Sequence, residues 1–277
     1  MANRIGVCSW SLQPQSAAQL AERVSSVGLK RVQLALDLLR SNEWAKAEAL
    51  ESLASNGIEV ISGMMQTRGE DYSSLESIQI TGGLRPDKHW NANRKAATEN
   101  ARLAREIGIT LVSFHAGFLP EDSDSPDFAK MIVRLQEVID RFADVGVQIA
   151  FETGQESAET LDQILYELDR PNAGVNFDPA NMILYNMGEP VAALEQLIPW
   201  VRQIHVKDAT RTSMPGTWGS EVPVGTGEVD WQSFFALVKS AKLDCDLVIE
   251  REDGNERERD IAGARDLIRK YLPEAEL

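Results

Sequence analysis

The chain has 277 residues, with 28 Lys and Arg against 43 Asp and Glu, which gives a formal net charge of −15. A composition with 43% hydrophobic and 26% charged residues is typical of a globular protein and excludes a disordered one. The acidity argues against a nucleic-acid partner, because affinity for a phosphate backbone comes mainly from Lys and Arg. Two cysteines exclude a disulfide framework, and three histidines leave carboxylates to supply most ligands of any metal site.

Targeting and membrane segments are not visible in the sequence. Residues 1–4 run directly into residues 5–8 without the apolar stretch of a signal peptide. No window approaches the ~18 apolar residues that a spanning helix needs. We therefore expect a soluble, cytoplasmic protein with reduced thiols and no membrane partner.

Short β-rich runs alternate with helical patterns along the whole chain. A polar loop insertion at residues 66–93 interrupts the alternation, and a second long loop is predicted at residues 209–228. Glycine follows several of the helical patterns, as expected at helix C-termini. The predicted strands, each with the helix that follows it, are residues 5–12 and 16–27, 31–36 and 43–56, 58–65 and 94–107, 110–116 and 126–145, 148–152 and 157–168, 174–178 and 190–197, 201–208 and 230–241, and 246–250 and 256–271.

Eight strand–helix pairs of this size predict an α/β protein with a parallel sheet closed into a single (β/α)₈ TIM barrel over residues 1–277. The runner-up is an open doubly wound sheet. That fold is disfavoured because no glycine-rich phosphate loop follows the first strand. The short run at residues 225–227 is interpreted as a turn.

Polar residues end four consecutive predicted strands: Glu152, Asp178, His205 and Glu250. Active sites of such barrels lie at the C-terminal ends of the strands, so we expect these side chains to meet. Each follows an apolar run, where a charge is costly unless it is paired or bound to a metal. Any one of them alone has a structural alternative, such as a helix cap at Asp178. The joint pattern predicts a metal site, and its ligand types suit Mn²⁺, Mg²⁺ or Co²⁺.

Four segments around these residues also carry a family resemblance: 151–156 (FETGQE), 176–181 (NFDPAN), 204–208 (IHVKD) and 248–252 (VIERE). Through them the chain resembles the xylose isomerase-like TIM barrel superfamily, in its group of sugar phosphate isomerases/epimerases. The resemblance implies that Glu152, Asp178, His205 and Glu250 hold one divalent metal ion, Mn²⁺ first and Mg²⁺, Co²⁺ or Zn²⁺ as alternatives. In the ketose 3-epimerases the two glutamates are also the acid/base pair, a role that would fall on Glu152 and Glu250.

The implied activity is that of a sugar epimerase or aldose–ketose isomerase. It would abstract a proton next to a carbonyl through a metal-stabilised enediolate. A metal-dependent lyase or dehydratase acting on a keto-sugar, inosose or keto-glycoside begins with the same step, and the residues do not separate the two. A non-catalytic sugar-binding barrel is a third interpretation. The DNA-repair relative endonuclease IV is opposed by the low histidine count and the acidity. Family members are often homo-oligomers.

Six further residues are candidates for contacts with a carbohydrate substrate: His115, Arg211, Lys207, Asn181, Glu156 and Trp10. All of them except Asn181 also have a structural alternative. His115 is equally suited to a core position, and Arg211 to a solvated loop. Lys207 could pair with Asp208, Glu156 could cap a helix, and Trp10 could serve in packing.

Two departures from the ketose 3-epimerases leave the substrate open. Asn181 stands where those enzymes often have a histidine, and Ala158 stands where they have a glutamate. Without an evident phosphate loop, a free sugar or sugar derivative is favoured. Trp218 is expected in a loop over the site, Trp90 and His89 in a solvated loop, and Glu252 is a rival to Glu250.

Overall fold

Eight parallel strands form a closed barrel, and a separate two-stranded sheet lies beside it. The computed structural model describes residues 3–214 and 216–277, so expectations for Met1, Ala2 and Pro215 fall outside the described residues. The strands are β1 (Ile5–Cys8), β2 (Arg31–Ala35), β3 (Glu59–Met64), β4 (Leu111–Phe114), β5 (Gln148–Glu152), β6 (Ala173–Phe177), β7 (Val201–Val206), β8 (Asp208–Thr210), β9 (Ser220–Val222) and β10 (Asp246–Ile249). The barrel order β1-β10-β7-β6-β5-β4-β3-β2 confirms the predicted (β/α)₈ fold.

Helices connect the barrel strands and cover the outside of the barrel. They are α1 (Ala17–Ser26), α2 (Leu36–Arg40), α3 (Lys46–Ser55), α4 (Leu75–Thr81), α5 (Asp87–Ile107), α6 (Pro126–Ala143), α7 (Ala158–Leu168), α8 (Pro179–Leu184), α9 (Pro190–Leu197), α10 (Trp231–Ser240) and α11 (Arg257–Tyr271), with short 3₁₀ turns at Ser9–Leu12 and Ile198–Trp200. Across residues 3–214 and 216–277, none of the helices combines the length and apolar character that crossing a bilayer requires.

Local signals in the sequence set where several of these helices begin and end. Ser125 and Ser157 accept hydrogen bonds from backbone N–H groups at the first turns of α6 and α7, which is the ordinary role of a serine cap. Gly108 ends α5 with φ of 80°, a left-handed conformation that glycine adopts without strain. These caps explain why the predicted boundaries of α6 and α7 lie within two residues or so of the observed ones.

The main hydrophobic core lies between the strands and the helices. Alternate strand residues point outward into it, as Phe114 and Phe151 do with ring centroids 5.6 Å apart. Phe177 of β6 likewise reaches Phe234 of α10, at 6.0 Å between centroids. The other face of each strand points into the barrel, so the residues that end the strands there face its mouth.

The segment 66–93 differs from the expected loop. It contains α4, and α5 begins at Asp87 rather than at residue 94. Ser74 caps α4, and Ile78 packs in a small apolar cluster with Phe118 and Tyr185. The segment is thus held by apolar contacts with residues outside it, which its polar composition did not indicate.

A close backbone approach fixes this segment beside the C-terminal end of β4. The Leu84 amide donates to the Ala116 carbonyl at 3.0 Å. A Cβ on Gly83 would lie 1.9 Å from that same carbonyl oxygen, and Gly83 also has φ of +64°. Only glycine fits there, so the approach depends on it. The segment therefore stands next to the barrel mouth.

The predicted long loop 209–228 is also more ordered than expected. β8 and β9 pair antiparallel, with Asp208 opposite Val222 and Thr210 opposite Ser220. The carboxylate of Asp208 accepts from the backbone amides of Gly225 and Gly227 and from the indole of Trp231. These contacts fix the hairpin over one side of the mouth.

Candidate functional site

The four predicted ligands meet at the C-terminal ends of β5, β6, β7 and β10. His205 Nδ1 lies 3.4 Å from Glu152 Oε1, 3.5 Å from Glu250 Oε2 and 3.9 Å from Asp178 Oδ2. The four ligand atoms all lie within 4.8 Å of one another. Parallel strands bring them together because Glu152 ends β5, Asp178 and Glu250 directly follow β6 and β10, and His205 is the last residue but one of β7.

Two of these atoms are buried without a hydrogen-bond partner: His205 Nδ1 and Asp178 Oδ2. The other oxygen of Asp178 accepts from the amide of Asn181 at 2.9 Å, so this carboxylate caps α8 and still leaves one oxygen free. A buried polar atom without a partner is costly, and a cation bound by both would remove that cost. The observed donor set of three carboxylates and one imidazole therefore fits a divalent metal ion.

The electrostatics of the four residues point the same way. Burial raises the pKa of Asp178 well above its usual range, although Lys207 acts in the opposite direction. Burial also disfavours the charged form of Glu250, but Lys207 and His205 outweigh it and hold the pKa of Glu250 well below its usual range. For Glu152, burial is outweighed by His115 and His205, which lower its pKa. Three carboxyl groups share few positive charges, so the site has room for a cation.

Gln33 orients the imidazole of His205 from below. Its Oε1 lies 2.7 Å from Nε2, which makes it the nearest acceptor for a proton on that nitrogen. With the proton on Nε2, Nδ1 presents a lone pair toward the carboxylates. Gln33 is itself held by Ser113, whose hydroxyl accepts at 2.9 Å.

We expect Gln33→Leu to weaken the affinity for Mn²⁺ by roughly 10–100-fold, because the imidazole loses the acceptor that fixes its tautomer. Calorimetric titration of metal-free protein measures this. Gln203→Leu is the matched control: this buried glutamine bonds Asn176 and Ser62, and neither of these hydrogen bonds is to His205. An equal loss of affinity in both variants would show that the polar layer as a whole, and not the acceptor at His205 Nε2, sets the metal affinity.

The polar layer inside the barrel was not predicted. Gln33, Ser62, Ser113, Asn176 and Gln203 are all fully buried and form side-chain hydrogen bonds across the barrel. Interiors of such barrels are dominated by Val, Ile and Leu, so a polar layer is unusual. The signal in the sequence was a polar residue within the apolar runs of β2, β3, β4, β6 and β7.

Three of the expected substrate contacts lie in the cavity that Glu250 also lines. The indole of Trp10 donates to Glu250 Oε1 at 2.8 Å, and Asn181 donates to Glu152 Oε1 at 2.9 Å. His115 Nε2 lies 3.7 Å from Glu152 Oε1. Trp10, His115 and Asn181 all line the cavity. Trp10 lies in the 3₁₀ turn after β1 rather than in the strand itself.

Lys207 also lines the cavity, but it does not pair with Asp208 as one interpretation expected. Its ammonium group lies 2.9 Å from Glu250 Oε2 and 2.6 Å from Glu252 Oε2. Asp208 is instead occupied by the backbone amides of the hairpin loop. Glu252 therefore serves as a second partner for the lysine, and Glu250 is the glutamate that faces His205.

Arg211 and Glu156 are not among the residues that line the cavity. Arg211 donates to the carboxylate of Glu189 at 2.6 Å and to the carbonyl of Gly188 at 3.1 Å, because the hairpin turns it toward that loop. Glu156 is buried, and burial raises its pKa to about 8. The spacing of Arg211 after His205 could not reveal this, since the intervening hairpin was not predicted.

The raised pKa of Glu156 predicts a pH-dependent stability. The folded protein keeps a proton up to about pH 8 that the unfolded chain loses near 4.5, so the free energy of unfolding falls as pH rises between these values. Glutamine does not ionise, so Glu156→Gln should not show this decrease. We expect the variant to gain roughly 3 kcal/mol in free energy of unfolding over the wild type at pH 7, relative to their difference at pH 4. Urea unfolding at both pH values measures it. Glu195→Gln, at an exposed position on α9, should show no such gain.

A cavity of about 460 Å³ opens above these residues. Segment 66–93 forms one wall with Gln66, Thr67, Glu70 and Tyr72, and Trp218 lines it from the β8–β9 hairpin, as expected. Trp90 is not part of the lining and lies under the guanidinium of Arg134, at 5.0 Å. Tyr72 and Tyr185 were missed, since neither lies at a strand end.

Closed-barrel topology and polar residues gathered at the C-terminal strand ends define a (β/α)₈ barrel with a candidate metal centre. The chain matches the family model described as xylose isomerase-like TIM barrel over residues 21–271. It belongs to the xylose isomerase-like TIM barrel family.

Solved structures agree with this assignment. The chain is similar to a xylose isomerase domain protein from Planctomyces limnophilus, with a TM-score of 0.88, 29% identity and 99% and 100% of the two chains covered. D-allulose 3-epimerase from Methylomonas sp. matches with a TM-score of 0.74 and 16% identity over 98% of both chains. The probable 3-DHS dehydratase AsbF from Bacillus anthracis matches with a TM-score of 0.72 and 17% identity over 95% and 98%. At these lower identities the likeness shows the fold.

A curated relative matches over a shorter length. The uncharacterized protein YihM of Escherichia coli (strain K12) is 25% identical over 147 residues, which are 52% of this chain and 44% of that protein. The match thus spans less than half of that relative.

Proposed function

We propose that this protein is a divalent-metal-dependent sugar isomerase or epimerase that abstracts a proton next to a carbonyl. The observation that carries the proposal is the placement of Glu152 and Glu250 around one point, with ligand oxygens within 4.8 Å of each other and of Asp178 and His205. The epimerase among the structural neighbours supports the same reaction class.

The chain's own residues supply the proton transfers. Glu152 and Glu250 both have lowered pKa values, so each is available as a carboxylate base at neutral pH. The ammonium group of Lys207 donates a hydrogen bond to the carboxylate of Glu250. Glu152 removes a proton from the carbon beside the carbonyl, and Glu250, after taking a proton from the ammonium group of Lys207, returns one to the same carbon. Lys207 regains its proton, and Glu152 loses the abstracted one, by exchange with solvent. A divalent cation held by Glu152, Asp178, His205 and Glu250 would supply Lewis acidity for the negative charge that develops.

A lyase or dehydratase is the second candidate. The observation that favours it is Lys207 at the cavity surface, where an ammonium group can donate a proton to a departing hydroxyl. A dehydratase is also found among the structural neighbours. Both reactions begin with the same proton abstraction and diverge only at the neighbouring carbon.

Deuterium exchange tests the proposal and separates the two candidates. Protein stripped with EDTA is reloaded with Mn²⁺, Mg²⁺, Co²⁺ or Zn²⁺ and incubated with a panel of ketoses and keto-glycosides in D₂O. We expect metal-dependent deuterium at the carbon next to the carbonyl, with a changed stereocentre and no loss of water. A dehydrated product would establish the lyase. If none of the tested substrates exchanges deuterium and the metal stoichiometry is near zero, the non-catalytic sugar-binding barrel is the remaining interpretation.

A further inference from the structure

Part of the cavity lining is aromatic. Tyr185 and Trp218 meet edge to face with ring centroids 4.9 Å apart, and Phe118 supports Tyr185 at 5.8 Å. Gln155 donates to the Tyr185 hydroxyl at 3.3 Å. Tyr72 lines the same cavity while 45% of its surface stays exposed. A fixed aromatic wall of this kind suits a flat apolar group on a ligand.

The charges of the lining oppose an anionic ligand. Lys207 is the one lysine or arginine among the described lining residues, and two glutamates already neutralise it. Arg251 nearby is paired with Glu221 and Asp260. The lining itself carries four glutamates: Glu70, Glu221, Glu250 and Glu252. A phosphate or carboxylate on the ligand would need an unpaired cation, which this lining does not offer.

The size of the cavity exceeds that of one sugar ring. A hexose has twelve non-hydrogen atoms, and twelve separate water molecules would occupy roughly 360 Å³ at ~30 Å³ each. The hexose occupies less than this volume because its atoms are covalently joined. A cavity of about 460 Å³ therefore has space left beside a single hexose. Tyr72, Tyr185 and Trp218 line the same cavity.

We propose that the substrate is an uncharged glycoside with an apolar or aromatic aglycone, whose sugar lies at Glu152 and Glu250 and whose aglycone packs on Tyr72, Tyr185 and Trp218. The orientation of the sugar rests on the proposed function. The aglycone site rests on the aromatic wall, the paired cations and the cavity volume.

Binding of stable, non-reacting ligands tests this. Calorimetry of the Mn²⁺-loaded protein compares methyl and phenyl glycosides of glucose, galactose and mannose with glucose 6-phosphate. In at least one sugar series we expect the phenyl glycoside to bind roughly tenfold more tightly than its methyl counterpart, and more tightly than the phosphate. A ratio below about threefold in every series, tighter binding of the phosphate, or no binding by any phenyl glycoside at millimolar concentration overturns the proposal.

Matched variants locate the effect. Trp218→Ala should lower the phenyl-to-methyl affinity ratio toward one. Tyr72→Ala, which changes a more exposed residue of the same wall, should do the same. Tyr166→Ala removes a tyrosine that is 80% exposed on α7 and should leave the ratio unchanged. If Trp218→Ala does not fold, Tyr72→Ala carries the test. A ratio near one with deuterium exchange intact overturns this inference alone. A ratio near ten without exchange overturns the proposed reaction and leaves the aglycone site standing.

Discussion

Replacing Glu152 with Gln is expected to lower turnover by roughly 10³-fold or more, because one base is lost together with a charged ligand of the proposed metal. The side chain keeps its shape, so the barrel should still fold. Turnover is measured with the substrate found by deuterium exchange. A variant that keeps a tenth or more of the wild-type activity would contradict the assigned role.

Metal binding gives a second readout that needs no substrate. At a hundredfold excess of Mn²⁺ over its dissociation constant, binding stabilises the folded protein by roughly 2.7 kcal/mol and raises its Tm by roughly 5–10 °C. We expect this rise in the wild-type protein and its loss in Glu152→Gln. Glu167→Gln, at an exposed position on α7, is the matched control and should keep the full rise.

The second large effect is expected on stability. Lys207→Met should lower the free energy of unfolding of the metal-free protein by roughly 3–5 kcal/mol at pH 7, since it leaves the buried carboxylate of Glu250 without its ammonium partner. The wild-type pKa of Glu250 is depressed, so its stabilisation is present above about pH 4.5. In the variant that pKa rises, so the loss of stability should shrink as pH falls toward 5.

Urea unfolding in EDTA measures this loss. Lys95→Met is the matched control, because Lys95 pairs with Glu99 across one turn of α5 while its side chain is 78% exposed. Loss of that surface pair should change the free energy of unfolding by no more than roughly 0.5 kcal/mol. A loss below about 1 kcal/mol in Lys207→Met would mean that water or a rearranged side chain compensates the buried charge.

Contacts between distant parts of the chain account for what sequence reasoning missed. Gln33 meets His205 across 172 positions. Lys207 was expected near the site, but its pairing with Glu250 and Glu252 depends on β7 and β10 lying side by side. Arg211 bonds Glu189 and does not line the cavity, because the β8–β9 hairpin, fixed by Asp208, turns it that way.

The wall formed by segment 66–93 shows the same limit. The segment is polar and its apolar residues show no strong periodicity, so the sequence did not indicate that Tyr72 faces a cavity. The position of the segment depends on Ile78 packing against Phe118 and on Gly83 fitting under Ala116. These contacts join elements that only barrel closure brings near.

The sequence by itself determined the eight strand–helix units and the ligand-type residues at four strand ends. Backbone geometry repeats along the chain, so apolar periodicity and capping residues reveal strands, helices and their ends without knowledge of the fold. The tertiary structure alone decided that Glu152, Asp178, His205 and Glu250 converge within 4.8 Å, that Gln33 orients the imidazole, and that aromatic residues line the same cavity as Glu250. Those distances depend on barrel closure and side-chain packing, which no local pattern encodes.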